Sequence, residues 1–160
     1  MQKLTVGIII YSGTGKTLAL AEQLKSNLDE QFDVVIDQIT VKEPKPFQSP
    51  EVTFSHAPDI TAYDVLVFGA PVWAFQLTHV MKKYLHQLPN IEGKPVGFYV
   101  MQGLPFHCLG GNRAMRTMVK LTQGLQHYEC AGIVSEKGRK HNQKFNKVIT
   151  NLTDFVTKSA

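Results

Sequence analysis

Hydrophobic and polar positions along the chain predict strands and helices in alternation. Runs rich in β-branched and aromatic residues are typical of strands buried on both faces of a sheet, and they lie at 4–10, 33–39, 63–69, 96–101 and 130–134. Helical spacing follows each of these runs except the second: at Ala21, Leu24 and Leu28 after the first, over about 78–88 after the third, at Met115, Met118 and Val119 after the fourth, and over 145–156 after the fifth. After the second run, the stretch 42–62 contains four Pro residues, which predicts a long loop with at most one short turn of helix.

Strands that alternate with helices form parallel sheets covered by helices on both faces. We therefore expect an α/β fold, and the length of 160 residues fits a single domain, 1–160, without a linker. In such sheets, ligands bind beyond the carboxyl ends of the strands, at the point where the strand order reverses. Three of the predicted strand ends carry unusual loops, at 11–17, 70–76 and 102–112, and we expect the functional site there.

The first of these loops combines glycines with hydroxyl side chains at a strand-to-helix turn: Ser12, Gly13, Thr14, Gly15, Lys16 and Thr17. Glycines let the backbone approach a ligand closely, and hydroxyls and helix N-terminal amides donate hydrogen bonds to anions. The loop therefore predicts a phosphate site, although a turn whose Ser and Thr only cap the helix remains an alternative. A triphosphate P-loop would need Gly in place of Ile10, and a dinucleotide fingerprint would need Gly in place of Leu18.

Ser12, Thr14, Gly15 and Thr17 match the phosphate loop of flavodoxins, Ser/Thr-x-Thr-Gly-x-Thr, and the chain resembles that family over almost its whole length. The resemblance implies a flavodoxin-like three-layer sandwich, with a five-stranded parallel sheet of order 2-1-3-4-5 and helices on both faces. It also implies non-covalently bound FMN at the switch point. The sequence departs from the family at Lys16, where Asn is common, in the Pro-rich stretch 42–62, and in Val-Trp-Ala-Phe at 72–75, where Thr-Trp-Gly is typical. No insertion splits the fifth predicted strand.

The resemblance further implies that the second and third loops flank the flavin ring. The residues expected to contribute are Pro71, Val72, Trp73, Ala74, Phe75, Gln102, Gly103, Gly110 and Gly111. Trp73 and Phe75 are candidates to stack on or flank the ring, and Gln102 and Gly103 to hydrogen-bond its pyrimidine edge. Alternatively, Trp73 packs on the next helix, and Gly110 and Gly111 form the turn that begins the third helix.

His107 and Cys108 lie in the third loop without an assigned role. The spacing from Cys108 to Arg113 is one residue short of the tyrosine-phosphatase loop, so we do not expect phosphatase chemistry. The chain's His and Cys residues show no recognisable metal-ligand spacing, and we expect neither a metal site nor a catalytic side chain.

The chain is basic, with 17 Lys and Arg against 13 Asp and Glu, a net charge of +4 and a pI near 9.1. Residues 1–80 carry a net charge of −4 and residues 81–160 a net charge of +8. The basic residues are dispersed without interleaved aromatics, which argues against nucleic-acid binding. No apolar run is long enough to span a bilayer, so we expect a cytoplasmic protein without membrane insertion.

Flavodoxins are typically acidic, whereas this chain is basic and its loops 70–76 and 102–112 contain no Asp or Glu. We therefore expect a less depressed flavin potential and different partners. The sequence predicts an FMN-binding redox protein that transfers electrons through the flavin to or from a partner protein or a small quinone-like acceptor. An NAD(P)H-dependent quinone or dye reductase, and a flavin-free regulatory or binding domain, are the alternatives, and monomer and homodimer both remain open.

Overall fold

The chain alternates strands and helices from end to end, and the computed structural model describes residues 2–104 and 110–160. The elements are β1 (Thr5–Ile10), α1 (Lys16–Leu28), β2 (Asp33–Gln38), β3 (Thr40–Val41), a 3₁₀ helix (Pro46–Gln48), β4 (Phe54–His56), β5 (Val65–Trp73), β6 (Gln76–Leu77), α2 (His79–Gln87), β7 (Val96–Gln102), α3 (Gly111–Leu121), β8 (Tyr128–Ser135) and α4 (His141–Lys158).

Five of the strands pair in parallel in the order β2-β1-β5-β7-β8, which confirms the predicted order 2-1-3-4-5 for the five long strands. The order reverses at β1, which pairs with β2 on one side and with β5 on the other. This reversal places a switch point between β1 and β5, where the carboxyl ends of two strands diverge and leave room for a ligand.

Side chains alternate across the sheet and build a core on each face. Along β1, Val6, Ile8 and Ile10 pack with the buried faces of α1 and α4, whereas Ile9 packs with those of α2 and α3. The spacing predicted for α4 is confirmed, because Leu152 and Val156 are fully buried in the first of these cores. The α/β class with helices on both faces is therefore confirmed as well.

Two small hairpins are absent from the sequence prediction. Within the predicted loop 42–62, β3 pairs with β4 and the short 3₁₀ helix supplies the single helical turn that was expected. The third predicted strand ended at residue 69, but β5 continues to Trp73 and folds back onto β6. The turn between them has φ angles of 48° at Ala74 and 63° at Phe75. Asn-Gly is the usual sequence for such a two-residue turn, which is why Ala-Phe did not suggest one.

Within the described residues, no helix combines the length and the apolar character needed to cross a membrane.

Candidate functional site

A cavity of about 740 Å³ opens at the carboxyl ends of the strands beside the switch point. Its walls come from the loop after β1, the segment 38–48 after β2, and the end of β5. Met101, Gly103 and Glu136 close the side toward β7 and β8. The volume lies in the range of cavities that hold drug-sized ligands and cofactors.

The loop after β1 supplies one end of the cavity through Ser12, Gly13, Thr14 and Thr17. The Ser12 hydroxyl oxygen accepts hydrogen bonds from the Gly15 amide at 3.2 Å and the Leu18 amide at 3.3 Å. Ser12 therefore caps α1, as the alternative interpretation held. Capping and anion binding are compatible, because a helix begins with four amides that lack intrahelical partners, and Ser12 accepts from only two of them, those of Gly15 and Leu18.

Gly15 gives the loop the turn that it needs. It has a φ angle of +89°, and open space surrounds the position that a Cβ would take. The first intrahelical bond of α1 joins the Ala19 amide to the Gly15 carbonyl, at 2.9 Å. The amides of Lys16 and Thr17 precede this bond, and they are the donors that a phosphate at the helix N-terminus would use.

Tyr99 helps to hold the loop after β1 in place. The sequence analysis did not predict this role. The Tyr99 hydroxyl donates to the Thr17 carbonyl oxygen at 2.8 Å, and the side chain is fully buried. Burial raises the pKa of Tyr99 far above its ordinary value, so the hydroxyl stays protonated as a donor. Gly69 pairs with Tyr99 in the neighbouring strand, and a Cβ there would lie 2.2 Å from the ring. The pairing becomes visible only once the strand register is known.

Lys16 does not line the cavity. Its ammonium lies 3.4 Å from the Glu136 carboxylate, across the gap between the loop after β1 and the end of β8. The Lys16 side chain is 51% exposed, and exposed ion pairs contribute at most about 1 kcal/mol. The pair therefore adds little to the stability of the fold, and its main effect is on the charge at the rim of the cavity.

Trp73 lines one side of the cavity, together with Pro71 and Val72 from the end of β5. Its ring meets Tyr11 edge-on at 5.4 Å and Phe47 edge-on at 5.3 Å between centroids. It also contacts His79 of α2 at 5.7 Å. The two interpretations of Trp73 both describe part of its environment, because it faces the cavity and also packs on the next helix.

Ala74 and Phe75 occupy the tip of the β5–β6 turn and are absent from the cavity wall. The Phe75 side chain is 57% exposed. Its backbone lies directly against Gly110, where a Cβ would be 2.6 Å from the Phe75 Cα. The structure therefore places this part of the predicted second loop on the outer surface beside the cavity.

The other residues predicted from the third loop separate into two groups. Gly103 lines the cavity, whereas the buried amide of Gln102 donates to the Leu104 carbonyl oxygen at 2.8 Å and to the Ser135 hydroxyl at 3.1 Å. Gly110 and Gly111 begin α3, as the alternative interpretation held, and a Cβ on Gly111 would meet the Gln102 amide oxygen at 2.4 Å. His107 and Cys108 lie outside the described residues.

The segment 38–48 forms a wall that the sequence analysis did not assign to the site. It brings Glu43, Lys45 and Phe47 to the cavity. The Glu43 carboxylate accepts the Thr53 amide at 2.8 and 2.9 Å, and this bond holds the pKa of Glu43 below its ordinary value. The four prolines of 42–62 marked that stretch as irregular, but nothing in their spacing shows which way an irregular segment folds.

Carboxylates are therefore present at the cavity, contributed by Glu43 and Glu136. The absence of Asp and Glu from loops 70–76 and 102–112 is a fact of the sequence, but it does not extend to the other walls. Glu136 faces Lys16, and Lys45 adds a further positive charge to the wall that carries Glu43. The charged groups at the cavity thus nearly balance, and the expected flavin potential stays a prediction.

No protein-family model matches this sequence, and no curated protein matches it. Several solved structures, however, superpose on this chain. A flavodoxin from Streptococcus pneumoniae superposes with a TM-score of 0.64 at 17% identity, over 96% of this chain and 99% of that one. Oxidised flavodoxin 2 from Bacillus cereus gives 0.64 at 16% identity, over 96% and 99% of the two chains. A flavoprotein in complex with FMN from Lactobacillus acidophilus gives 0.58 at 20% identity, over 90% and 99%. At such identities the likeness establishes the fold, and the chain has the flavodoxin-like fold that its sequence predicted.

Proposed function

We propose that this protein binds FMN non-covalently in the cavity at the switch point and transfers electrons through it. The observation that carries the proposal is the placement of two kinds of wall around one space of about 740 Å³. Hydroxyls and free helix amides of the loop after β1 lie at one end, and Trp73 with its neighbours lies along the side. FMN needs both, because it joins a dianionic phosphate to a flat, largely apolar ring. The superposition on a flavoprotein described in complex with FMN supports the same assignment.

The residues present fit this ligand in kind. Thr14 and Thr17 supply hydroxyls, and the amides of Lys16 and Thr17 supply N–H donors for a phosphate. Pro71, Val72 and Trp73 provide apolar surface for a ring. Bound FMN would supply the electron-transfer chemistry, and the chain's residues would bind it, orient it and shield it from water. No side chain is assigned a catalytic role.

Visible absorption after FMN addition and desalting tests the proposal directly. The wild-type protein should retain flavin bands, and Thr14→Ala or Thr17→Ala should each weaken binding. A lost hydrogen bond to a charged group corresponds to about 1.5–3 kcal/mol, which is roughly a 10- to 150-fold increase in Kd. Thr157→Ala is the matched control, because Thr157 lies in the last turn of α4, at the opposite edge of the sheet.

Two other outcomes would point elsewhere. A colourless protein that takes up no FMN would favour a flavin-free binding or regulatory domain. Sustained turnover of a quinone or dye with NAD(P)H alone, without a partner protein, would favour a reductase. FMN retention that neither threonine variant changes would contradict the assignment of the phosphate to the loop after β1.

A further inference from the structure

Charge is distributed unevenly between the two edges of the sheet. We define the site edge as the segments that follow the parallel strands, each with the first turn of the helix behind it: 11–19, 39–48, 74–82, 103–104, 110–114 and 136–144. This edge carries nine of the chain's 17 Lys and Arg but only two of its 13 Asp and Glu, a net charge of +7. All other residues together carry a net charge of −3.

The positive charges come from five of the six segments that make up the site edge. Lys42 and Lys45 follow β2, and Arg113 lies in the first turn of α3. Lys82, in the first turn of α2, has its pKa lowered by burial and by the nearby Arg113 guanidinium. Lys82 and Arg113 are thus two cations that lie close together on this edge.

The densest group lies between β8 and α4, where Lys137, Arg139 and Lys140 are all exposed. None of these three takes part in an ion pair within the described part of the chain. The two acids of the site edge are already engaged, because Glu136 faces Lys16 and Glu43 accepts the Thr53 amide. Both carboxylates are already included in the net charge of +7, so they do not reduce it further.

Apolar side chains are exposed on the same edge. Phe47, Phe75 and Leu104 are 61%, 57% and 42% exposed, and they are three of the five large hydrophobic residues exposed in the described chain. Phe47 and Gly103, the residue before Leu104, line the cavity, and the Phe75 backbone packs against Gly110 beside it. Exposed apolar side chains surrounded by charged residues are the composition of a protein-binding surface, with an apolar centre and a polar rim.

From this combination we propose that the site edge is the docking surface for an acidic protein. The charge of the edge recruits a partner of opposite sign, and Phe47, Phe75 and Leu104 provide the apolar contact at the centre. A phosphate held in the cavity would add up to about two negative charges, which leaves the edge strongly positive. The docking depends only on the surface. That the partner is a redox protein rests on the proposed FMN function.

An acidic protein fits this surface better than a nucleic acid does. The cations lie on five separate segments of the site edge rather than along one continuous helix or strand that could follow a phosphate backbone. The aromatic residues near them, Phe47 and Phe75, are isolated, whereas single-stranded nucleic acids need successive stacking platforms.

The test is an NMR titration of the ¹⁵N-labelled full chain, with and without added FMN. The probe is a plant-type [2Fe–2S] ferredoxin, which is small and acidic. Cytochrome c is the basic comparison and a short DNA duplex the nucleic-acid comparison. Ferredoxin should shift signals of the site edge and bind less tightly as salt increases, whereas cytochrome c should leave that edge unchanged.

Two double variants separate local charge from net charge. Lys137→Glu with Lys140→Glu should raise the Kd for ferredoxin by about tenfold or more at low salt. Lys120→Glu with Lys158→Glu makes the same change in net charge in the last turns of α3 and α4, at the opposite edge, and should change the Kd by less than about twofold.

Equal effects of the two double variants would overturn the proposal, as would ferredoxin shifts at the opposite edge or no binding at all. Tighter binding of DNA at the site edge would overturn it in favour of a nucleic acid. If ferredoxin docks at the site edge but the protein takes up no FMN, the docking surface stands and the proposed redox function fails.

Discussion

Replacing Gly110 with Ala tests how the β5–β6 turn is held against the start of α3. Gly110 has a φ angle of +115°, and a Cβ there would lie 2.6 Å from both the Cα and the carbonyl carbon of Phe75. Those atoms are backbone, so the clash cannot be relieved by rotating a side chain. The positive φ costs an L-residue roughly 1–2 kcal/mol, and overpacking adds about 1–3 kcal/mol. Ala lowers the entropy of the unfolded chain and returns about 0.4–1 kcal/mol.

The expected loss in the free energy of unfolding is therefore about 2–4 kcal/mol for Gly110→Ala. Gly15→Ala is the matched comparison, because Gly15 also has a positive φ, +89°, but nothing lies within 4 Å of the position of its Cβ. It should lose only about 0.5–1.5 kcal/mol. Gly103→Ala, where the space is also open and φ is not in the positive range, should change stability by less than about 1 kcal/mol.

Urea unfolding of the FMN-free protein, followed by circular dichroism, measures all three variants in the same way. The informative quantity is the difference between Gly110→Ala and Gly15→Ala, since it isolates the contact with the Phe75 backbone. If the two variants lost the same stability at an unchanged m-value, the close approach between the turn and α3 would be refuted. Gly110 would then not be required for this packing.

Three further predictions concern residues around the site. Tyr99→Phe should reduce the free energy of unfolding by about 0.5–1.5 kcal/mol, because it removes the buried hydrogen bond from the Tyr99 hydroxyl to the Thr17 carbonyl, and an unchanged urea midpoint would contradict this. Ala74→Asn should raise the thermal midpoint, because Asn tolerates the positive φ of 48° better than Ala, and a lowered midpoint would show that the turn is not strained. Glu43 has a lowered pKa in the folded chain, so its contribution to stability is present above its ordinary pKa of 4.5 and is lost as the pH falls through the lower folded value. Glu43→Gln should therefore flatten the loss of stability below pH 4.5, and acid unfolding curves that coincide with the wild type would refute the role of the Thr53 hydrogen bond.

The parts of the fold that follow a repeating pattern could be predicted from the sequence. The run of β-branched residues identifies β1, because a strand buried on both faces is apolar at nearly every position. The helical spacing of apolar residues identifies α4, because a helix buried on one face repeats them every three or four positions. That the loop after β1 lines the cavity could be predicted as well, because ligands bind beyond the carboxyl ends of the strands in sheets of this kind. The turn at Ala74 and Phe75 could not be predicted, because neither residue favours a positive φ and the turn is held by its contact with Gly110. The pairing of Gly69 with Tyr99 needs the strand register, which no local pattern supplies.

Counting charge separately in the two halves of the chain hides how the charged residues are distributed over the surface. In this fold each strand–helix unit returns the chain to the same edge of the sheet, so residues far apart in sequence share one surface. Lys16, Lys42 and Lys45 belong to the half with a net charge of −4, yet they lie on the same edge as Lys137 and Lys140. Glu43 and Glu136 reach the cavity from segments outside the two loops that contain no acid. The sign of the field at a site of this kind therefore follows from the charges on all segments after the strands, counted together. Counted in that way, the basic excess of this chain belongs to the edge that carries its cavity.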